Sequence, residues 1–198
     1  MRRRTFDALA TATGVLLAAI LLVAGGLLTW GHSFVNNEVH TQLAAQQIYF
    51  PASNSPAIKA PEFAAMHQYA GQQMTTGAQA EVYADHFIAN HLKAIGGGKT
   101  YAQLSAQSLA QPKNAALAAQ VQTVFRGETL RGLLLNAYAF WEMGQIMLIA
   151  AIAAFAAAAL MLILSVLGVA HLRRVSPAAE VLPRLAADKP TAVTATVA

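Results

Sequence analysis

The sequence contains no cysteine and few charged residues, since only 11% of its 198 residues are Asp, Glu, Lys or Arg. The absence of cysteine excludes disulfides, thiolate metal ligands and a cysteine nucleophile. Soluble domains carry about one charged residue in four, whereas here 56% of residues are hydrophobic and the mean hydropathy is +0.44. We therefore expect the chain to reside in a lipid bilayer.

Acidic residues are scarcer than basic ones, and thirteen Lys and Arg against nine Asp and Glu give a formal net charge of +4. The basic residues do not form one binding face. Many of them flank apolar runs, as Arg2, Arg3 and Arg4 do at the start and as Arg173 and Arg174 do near the end. A nucleic-acid partner is therefore not expected.

Two apolar runs are long enough to cross a bilayer. Residues 8–30 carry no charge and would form a helix of roughly 34 Å, and residues 143–170 one of roughly 42 Å, against a hydrocarbon core of about 30 Å. A cleaved signal peptide is the alternative for the first run, but that run exceeds the about 7 to 15 residues of a signal core. The sequence thus predicts two transmembrane helices.

The orientation follows from the basic flanks and from aromatic residues. Lys and Arg beside a span are retained in the cytoplasm, and both basic clusters lie on the sides away from the central segment. Trp30, Tyr138 and Trp141 lie at the opposite ends of the runs, as an outer aromatic belt would. We expect a multi-pass plasma-membrane protein with both termini cytoplasmic. The predicted segments are a basic N-terminus (1–7), span 1 (8–30), an extracytoplasmic domain (31–142), span 2 (143–170) and a disordered tail (171–198).

Small residues recur at four-residue spacing in both runs, as Gly14 and Ala18 and as Ala150, Ala154 and Ala158. Such spacing lets two membrane helices approach closely. The pattern is compatible with pairing of the two spans within the chain or with pairing to another protein.

The central segment is predicted to be helical throughout, because its apolar residues recur at helical spacing. The first helix continues past span 1 through Val35 and Leu43 to about Gln47, where a proline-rich stretch ends it. A short helix begins at Pro61. The fold class expected is an all-α membrane protein with two transmembrane helices and an inserted extracytoplasmic helical bundle.

Two capping boxes mark further helices, since Thr76 precedes Gln79, and Thr100 precedes Gln103, by three residues. The last helix begins near Asn114 and enters span 2. The apolar positions predicted for these three helices are, in order, Ala80, Ala84, Phe87, Ile88, His91, Leu92 and Ile95; Tyr101, Leu104 and Leu109; and Leu117, Val121, Val124 and Phe125.

The sequence contains no convincing catalytic or metal-binding motif. The GGGKT stretch lacks the earlier glycine of a phosphate loop, since position 93 is Lys93. His86 and His91 are five residues apart, about 140° around a helix, so they cannot bind one ion together. We interpret His91 as a hydrogen-bonded core histidine, and Asp85 and His86 as a solvated face. No cofactor or metal is expected.

Polar residues near the spans are candidates for contact with lipid or a partner. Arg126 and Arg131 lie close to span 2, and Arg131 with Glu128 could instead form an i, i+3 surface ion pair. His32, Asn36 and His40 share one helix face just beyond span 1, which is either a weak sensing stripe or an ordinary polar face. The residues predicted to contact lipid or a partner are Arg126, Arg131, Trp30, Tyr138 and Trp141.

Several blocks of the sequence, RRRTFD, LLVAGGLLTWGHSFVNNEVHTQL, YAGQQMTTGAQAEVYADHFIANHL and FRGETLRGLLLNAYAFWEMGQI, resemble a family of actinobacterial two-span membrane proteins. The resemblance covers roughly residues 1 to 174 and implies the two-span fold. Members often carry the label aromatic ring-opening dioxygenase. Extradiol ring opening requires iron held by two histidines and a carboxylate, which the histidine spacing here does not provide.

The function expected is therefore that of a non-enzymatic envelope protein. It would be an accessory or scaffold subunit whose outer domain contacts a membrane-protein or cell-envelope partner, with the lipid bilayer as its solvent. An extracytoplasmic sensor that signals through a partner is the alternative, and a metal-dependent enzyme is a third hypothesis. The sequence does not define the oligomeric state.

Overall fold

The computed structural model describes residues 3–176. The predictions for Arg2 and for the tail beyond Ser176 lie outside the described residues. Within them the structure is helical and contains no strand, apart from one isolated antiparallel bridge between Tyr49 and Gln73. This confirms the all-α fold class.

Two helices are far longer than the others. They are α1 (Arg3–Ala45) and α5 (Ala115–Leu172). The chain between them forms two 3₁₀ helices (Pro56–Ile58 and Pro61–Tyr69), α2 (Gly77–Val82), a π-helical turn (Tyr83–Ile88), α3 (Ala89–Ile95) and α4 (Tyr101–Ala110).

Both long helices contain a segment long and apolar enough to cross a membrane, as the sequence predicts. Only 11% of each apolar segment is buried inside the protein. A core helix of a soluble protein would be mostly buried, so these segments carry apolar surface that nothing in the described chain covers.

The chain divides into two compact units. The central unit is Gly26–Ile152, and the paired-helix unit comprises the described residues 3–25 and 153–176. The divisions fall five and ten residues inside the predicted ends of the spans (residues 30 and 143), because each long helix contributes to both units.

The central unit has its own hydrophobic core. It is built on α1 and α5 and closed by residues 48–95 between them, and its buried side chains are Val39, Leu43, Phe50, Ile58, Met66, Met74, Ala80, Ala84, Ile88, Leu92 and Leu134. A smaller cluster joins α4 to the start of α5 through Leu104, Val121 and Val124.

The local signals in the sequence place the short helices. Both predicted capping boxes are formed, with the Thr76 and Thr100 hydroxyls accepting from the amides of Gln79 and Gln103. After α3 the backbone turns at Gly97 and Gly98, which have φ of 56° and 78°, values that a side chain disfavours.

The α2–α3 segment runs antiparallel to α5, and glycines allow close approach at both ends. A Cβ on Gly77 would collide with the Cβ of Trp141, and a Cβ on Gly127 would collide with Leu92. Glycine at these two positions lets each large side chain pack directly on the opposing backbone.

The paired-helix unit contains an antiparallel seam of small residues. Ala18 and Ala158 are fully buried, and Ser165 is 5% exposed. Phe155 packs on Gly25, where a Cβ would be 2.8 Å from the ring. Of the predicted small residues, Gly14, Ala18 and Ala158 therefore serve pairing of the two helices within the chain, whereas Ala150 and Ala154 are only half-buried.

The first helix, predicted to reach about Gln47, ends at Ala45 and is followed by a turn at residues 46–47, and the helix predicted from Pro61 is present as a 3₁₀ helix. Five predicted core positions are wrong. Histidine 91 is exposed rather than part of the core, although its Nδ1 bonds the Phe87 carbonyl at 2.7 Å. Four more predicted apolar positions are also exposed: Ile95, Tyr101, Leu109 and Phe125.

Candidate functional site: an apolar groove and two polar clusters

One face of the central unit carries a groove between α1 and α5, here called the α1–α5 groove. It consists of two clefts of about 340 Å³ each, which share Gln42, Ala137 and Phe140. Four large side chains remain 44–62% exposed along it: Phe34, Leu130, Leu133 and Phe140. The remaining lining residues are Val35, Glu38, Val39, Leu43, Gln46, Ile48, Leu134 and Asn136.

The groove is lined mostly by apolar side chains, and its polar lining residues are Glu38, Gln42, Gln46 and Asn136. Its one lining charge is Glu38, whose carboxylate accepts a hydrogen bond from Gln42 Nε2 at 2.7 Å. Along α1 the groove extends from residue 34 to residue 45, roughly 17 Å or three helical turns. A continuous apolar surface of this kind on a folded unit indicates a binding surface.

The groove adjoins predicted lipid-contact residues. Trp30 is 67% exposed and stacks on Phe34, with ring centroids 5.7 Å apart. Tyr138 and Trp141 are half-buried, and their ring centroids are 6.3 Å apart. The negative charge of Glu81, then burial and Glu142, raise the pKa of Tyr138.

The two predicted arginines differ in their surroundings. Arg126 is exposed on α5. Arg131 Nη2 donates to Asp85 Oδ1 at 2.7 Å, and its Nη1 lies 3.6 Å from Glu128. The hydrogen bond to Asp85 raises the pKa of the Arg131 guanidinium. Asp85 lies on a partly solvated face, as predicted, since its side chain is 40% exposed, and it is also the ion-pair partner of Arg131, which the sequence did not predict.

The π-helical turn supplies Asp85 to this pair. Each π turn adds a residue to the helical register and such turns are frequent at functional positions. Within the turn Tyr83 packs edge-on against Phe50 at 5.4 Å and against Phe87 at 4.8 Å. Burial raises the pKa of Tyr83.

The three residues of the predicted polar stripe are not brought together at one ligand. His32 Nδ1 donates to the carbonyl of Gly144 at 2.8 Å and so joins α1 to α5 within the central unit. Asn36 is half-buried, and His40 is exposed. His32 is thus committed to a helix–helix contact.

Besides the group of Arg131, Asp85 and Glu128, a second polar cluster lies in the paired-helix unit. It occupies a cleft of about 290 Å³, here called the seam cleft. Asp7 and Ser165 are among its lining residues, and the Asp7 Oδ2 and Ser165 Oγ atoms are buried with no hydrogen-bond partner. His171 Nε2 is 3.7 Å from Asp7 Oδ2, too long for a hydrogen bond. Thr11 Oγ1 donates to the Asp7 carbonyl at 2.8 Å.

Within residues 3–176 no group of three or more His, Cys, Asp or Glu side chains could hold a metal ion. No family model, curated protein or solved structure matches the chain. The family resemblance seen in the sequence therefore stays a prediction.

Sequence reasoning missed the groove, the seam cleft and the Asp85–Arg131 pair. A usable signal existed for the seam cleft, because Asp7, Thr11 and Gly14 follow one another at i, i+4 and i+7 on α1. The other two depend on how α1, α5 and the α2–α3 segment pack together, which no local pattern encodes.

Proposed function

We propose that the chain is a non-enzymatic subunit of the cell envelope that is anchored by α1 and α5 and binds one apolar helix of another membrane protein in the α1–α5 groove. Residues 31–142 lie outside the cell in this proposal, and both termini lie in the cytoplasm. The observation that carries it is the groove itself, an uncovered apolar surface on a unit that already has a complete core.

The shape of the groove supports a helical occupant. Its walls are two antiparallel helices, and a third helix laid along them completes a bundle with the usual interaxial distance of about 8–10 Å. The exposed Leu133, Phe34 and Phe140 would supply the apolar contacts. This is the helix-in-groove mode of recognition.

Charge favours a different protein over a second copy. In a symmetric dimer formed through this groove, the two Glu38 carboxylates would lie at the same height near the axis and repel each other. A partner helix with a lysine or arginine at that height would instead pair with Glu38. The proposal therefore commits to a partner with a basic residue beside its apolar face.

Site-specific photo-cross-linking tests the partner, because a chain without cysteine accepts a single unique thiol. Leu133→Cys labelled with a benzophenone maleimide is expected to give one adduct in native membranes, mapped to an apolar helix of one protein. Leu109→Cys is the matched control, a leucine 81% exposed outside the groove. Glu38→Lys in the same labelled chain should abolish the adduct.

Other outcomes contradict the proposal. An adduct of twice the 20.8 kDa chain would show a second copy in the groove. Adducts with lipid alone would show that the groove faces the bilayer. Stoichiometric iron or zinc in the purified chain would support an enzyme, and ligand-dependent stabilisation that persists in Glu38→Lys would support the sensor alternative.

Thiol accessibility tests the orientation. Lys99→Cys, in an exposed loop, should react in intact cells with a membrane-impermeant maleimide. Val175→Cys should react only after permeabilisation. The reverse pattern would place the central segment in the cytoplasm and overturn the proposed topology.

A further inference from the structure

The seam cleft combines two features that membrane helices avoid, buried oxygen atoms and missing hydrogen-bond partners. Two of the three buried unpaired side-chain polar atoms in residues 3–176 belong to Asp7 and Ser165, and both line this one cleft. An unsatisfied buried polar group costs about 1–3 kcal/mol. Ser165 lies inside the second apolar run and Asp7 directly before the first, and unpaired polar groups at such positions point to a functional site.

Glycines hold these polar side chains at the seam. An added Cβ on Gly14 would be 2.6 Å from Ser165 Oγ, and one on Gly168 would be 2.5 Å from Thr11 Oγ1. Each hydroxyl thus packs against the opposing helix where that helix lacks a side chain. The arrangement keeps both oxygens at the helix–helix boundary.

The chemistry of the cleft is that of an acceptor site. Asp7 Oδ2 is a carboxylate oxygen without a donor, and the Ser165 and Thr11 oxygens have lone pairs available. A ligand group with positive charge and several N–H donors complements this set. A primary ammonium has both properties.

The surroundings of the cleft indicate where that ammonium comes from. Asp7 immediately precedes the first apolar run and His171 immediately follows the second, whereas Thr11 and Ser165 lie within the runs. On the proposed topology the cleft therefore begins at the level of the lipid headgroups and extends into the ends of the two spans. Ala10, Met161 and Leu164 form apolar walls beside the polar atoms. Arg4 and Arg174, three residues along the chain from Asp7 and His171, are exposed, and arginines in such positions can bind a phosphate.

We infer that the seam cleft binds the headgroup of an amine-bearing zwitterionic phospholipid. The ammonium hydrogen-bonds Asp7, Ser165 and Thr11, and the phosphate contacts Arg4 and Arg174. The inference rests on the proposed anchoring of α1 and α5 in a membrane, but not on the groove or its partner. A metal cation without a lipid would have only one carboxylate to bind and would be repelled by the positive charge of Arg4 and Arg174. In a bound phospholipid, the negative phosphate would offset that repulsion.

Thermal unfolding of the purified full-length chain in detergent tests the inference with three short-chain phospholipids. A phosphatidylethanolamine is expected to raise the Tm in a dose-dependent way. A phosphatidylcholine, whose quaternary ammonium has no N–H, and a phosphatidylglycerol, which has no amine, should each bind at least about tenfold more weakly, the size of one charge-assisted hydrogen bond.

Variants locate the site. Asp7→Asn keeps the shape but removes the charge and should weaken the ethanolamine lipid about tenfold, while Ser165→Ala should weaken it less. Thr13→Ala is the control, since Thr13 lies on the same part of α1 but is exposed. Its affinity for the lipid should equal that of the wild type.

Contrary results are distinct from one another. Equal stabilisation by the three lipids, or a wild-type response in both Asp7→Asn and Ser165→Ala, overturns the headgroup site. If sodium chloride raises the Tm more than choline chloride does, and the three lipids do not differ, the cleft binds a monovalent cation instead. Release of the chain from vesicles by carbonate would refute the anchoring, and with it the proposed function.

Discussion

Arg131 Nη2 and Asp85 Oδ1 are 2.7 Å apart, although the two residues are 46 positions apart in the sequence. The pair ties the π-helical turn to α5 between the two glycine contacts, Gly77 with Trp141 and Gly127 with Leu92. The ion pair thus adds a polar contact, between the two glycine contacts, to the segment that closes the core of the central unit.

This pair should contribute modestly to stability, because its side chains are 33% and 40% exposed. We expect a coupling free energy of about 0.5–1 kcal/mol from a double-mutant cycle of Asp85→Ala and Arg131→Ala, within the range for solvent-screened pairs. The cycle is measured by chemical unfolding of the full chain in detergent. Glu128→Ala with Arg131→Ala is the control, and should couple more weakly because that contact is 3.6 Å.

The same pair should not respond to pH near neutrality. The pKa of Arg131 is raised in the folded chain, first by its hydrogen bond to Asp85. A basic group whose pKa is raised by folding stabilises the fold at every pH below its unfolded pKa. That stabilisation is lost only as the pH rises through the folded pKa. A coupling free energy that falls between about pH 6 and pH 9 would contradict this assignment, since arginine stays charged there.

Alkaline pH should destabilise the central unit through Tyr83. Its pKa is raised by burial, so the folded chain favours the neutral phenol. Stability is then complete below the unfolded value, about 10, and falls as pH rises through the folded pKa.

Phenylalanine at this position tests the effect. Tyr83→Phe keeps the ring contacts with Phe50 and Phe87 but cannot ionise. The variant should lose less unfolding free energy than the wild type between about pH 9 and pH 11. Tyr49→Phe, at a ring 58% exposed, is the control and should follow the wild type. Identical profiles for Tyr83→Phe and wild type would exclude Tyr83 as the cause.

Local features of the fold are predictable from sequence, because each depends on a few adjacent residues. The capping boxes at Thr76 and Thr100 and the glycines after α3 place helix ends by hydrogen bonding and backbone freedom alone. The two apolar runs are equally evident from hydropathy. These signals predict the long helices and most of the short ones.

Side-chain burial is less predictable where helices pack through a shifted register. The stripe after Thr76 predicts Ala80, Ala84 and Leu92 as buried, and they are, but His91 is exposed. The π-helical turn changes the angular step between the two halves of that segment. The groove was likewise not predictable, because it depends on which faces of α1 and α5 are covered by the intervening chain. The spacing of apolar residues within α1 or α5 alone does not specify those faces.

Close packing at Gly77 should make that position intolerant of a methyl group. A Cβ there would collide with the Cβ of Trp141, which is anchored to the backbone and cannot rotate away. Gly77→Ala should lower the unfolding free energy by about 1–3 kcal/mol, as overpacking does.

A second glycine offers the matched control. Gly132 lies within α5 with nothing within 4 Å of an added Cβ. Gly132→Ala should therefore raise stability by about 0.5–1 kcal/mol through helix propensity. Equal effects of the two substitutions would show that the contact with Trp141 does not constrain α2.

The small-residue seam of the paired-helix unit makes an analogous prediction in the apolar helices. Ala18 is fully buried at the seam, whereas its neighbour Ala19 is exposed. Leucine at position 18 would separate the two helices, and in a bilayer that loss of van der Waals contact is not offset by a hydrophobic effect. We expect Ala18→Leu to destabilise the chain by about 1–3 kcal/mol and Ala19→Leu to be within about 0.5 kcal/mol of the wild type. Thermal unfolding in detergent measures the difference. A neutral Ala18→Leu, together with destabilisation by substitution of Leu22, one helical turn further along α1, would contradict this prediction. It would show that the two helices pair in a different register from the one described.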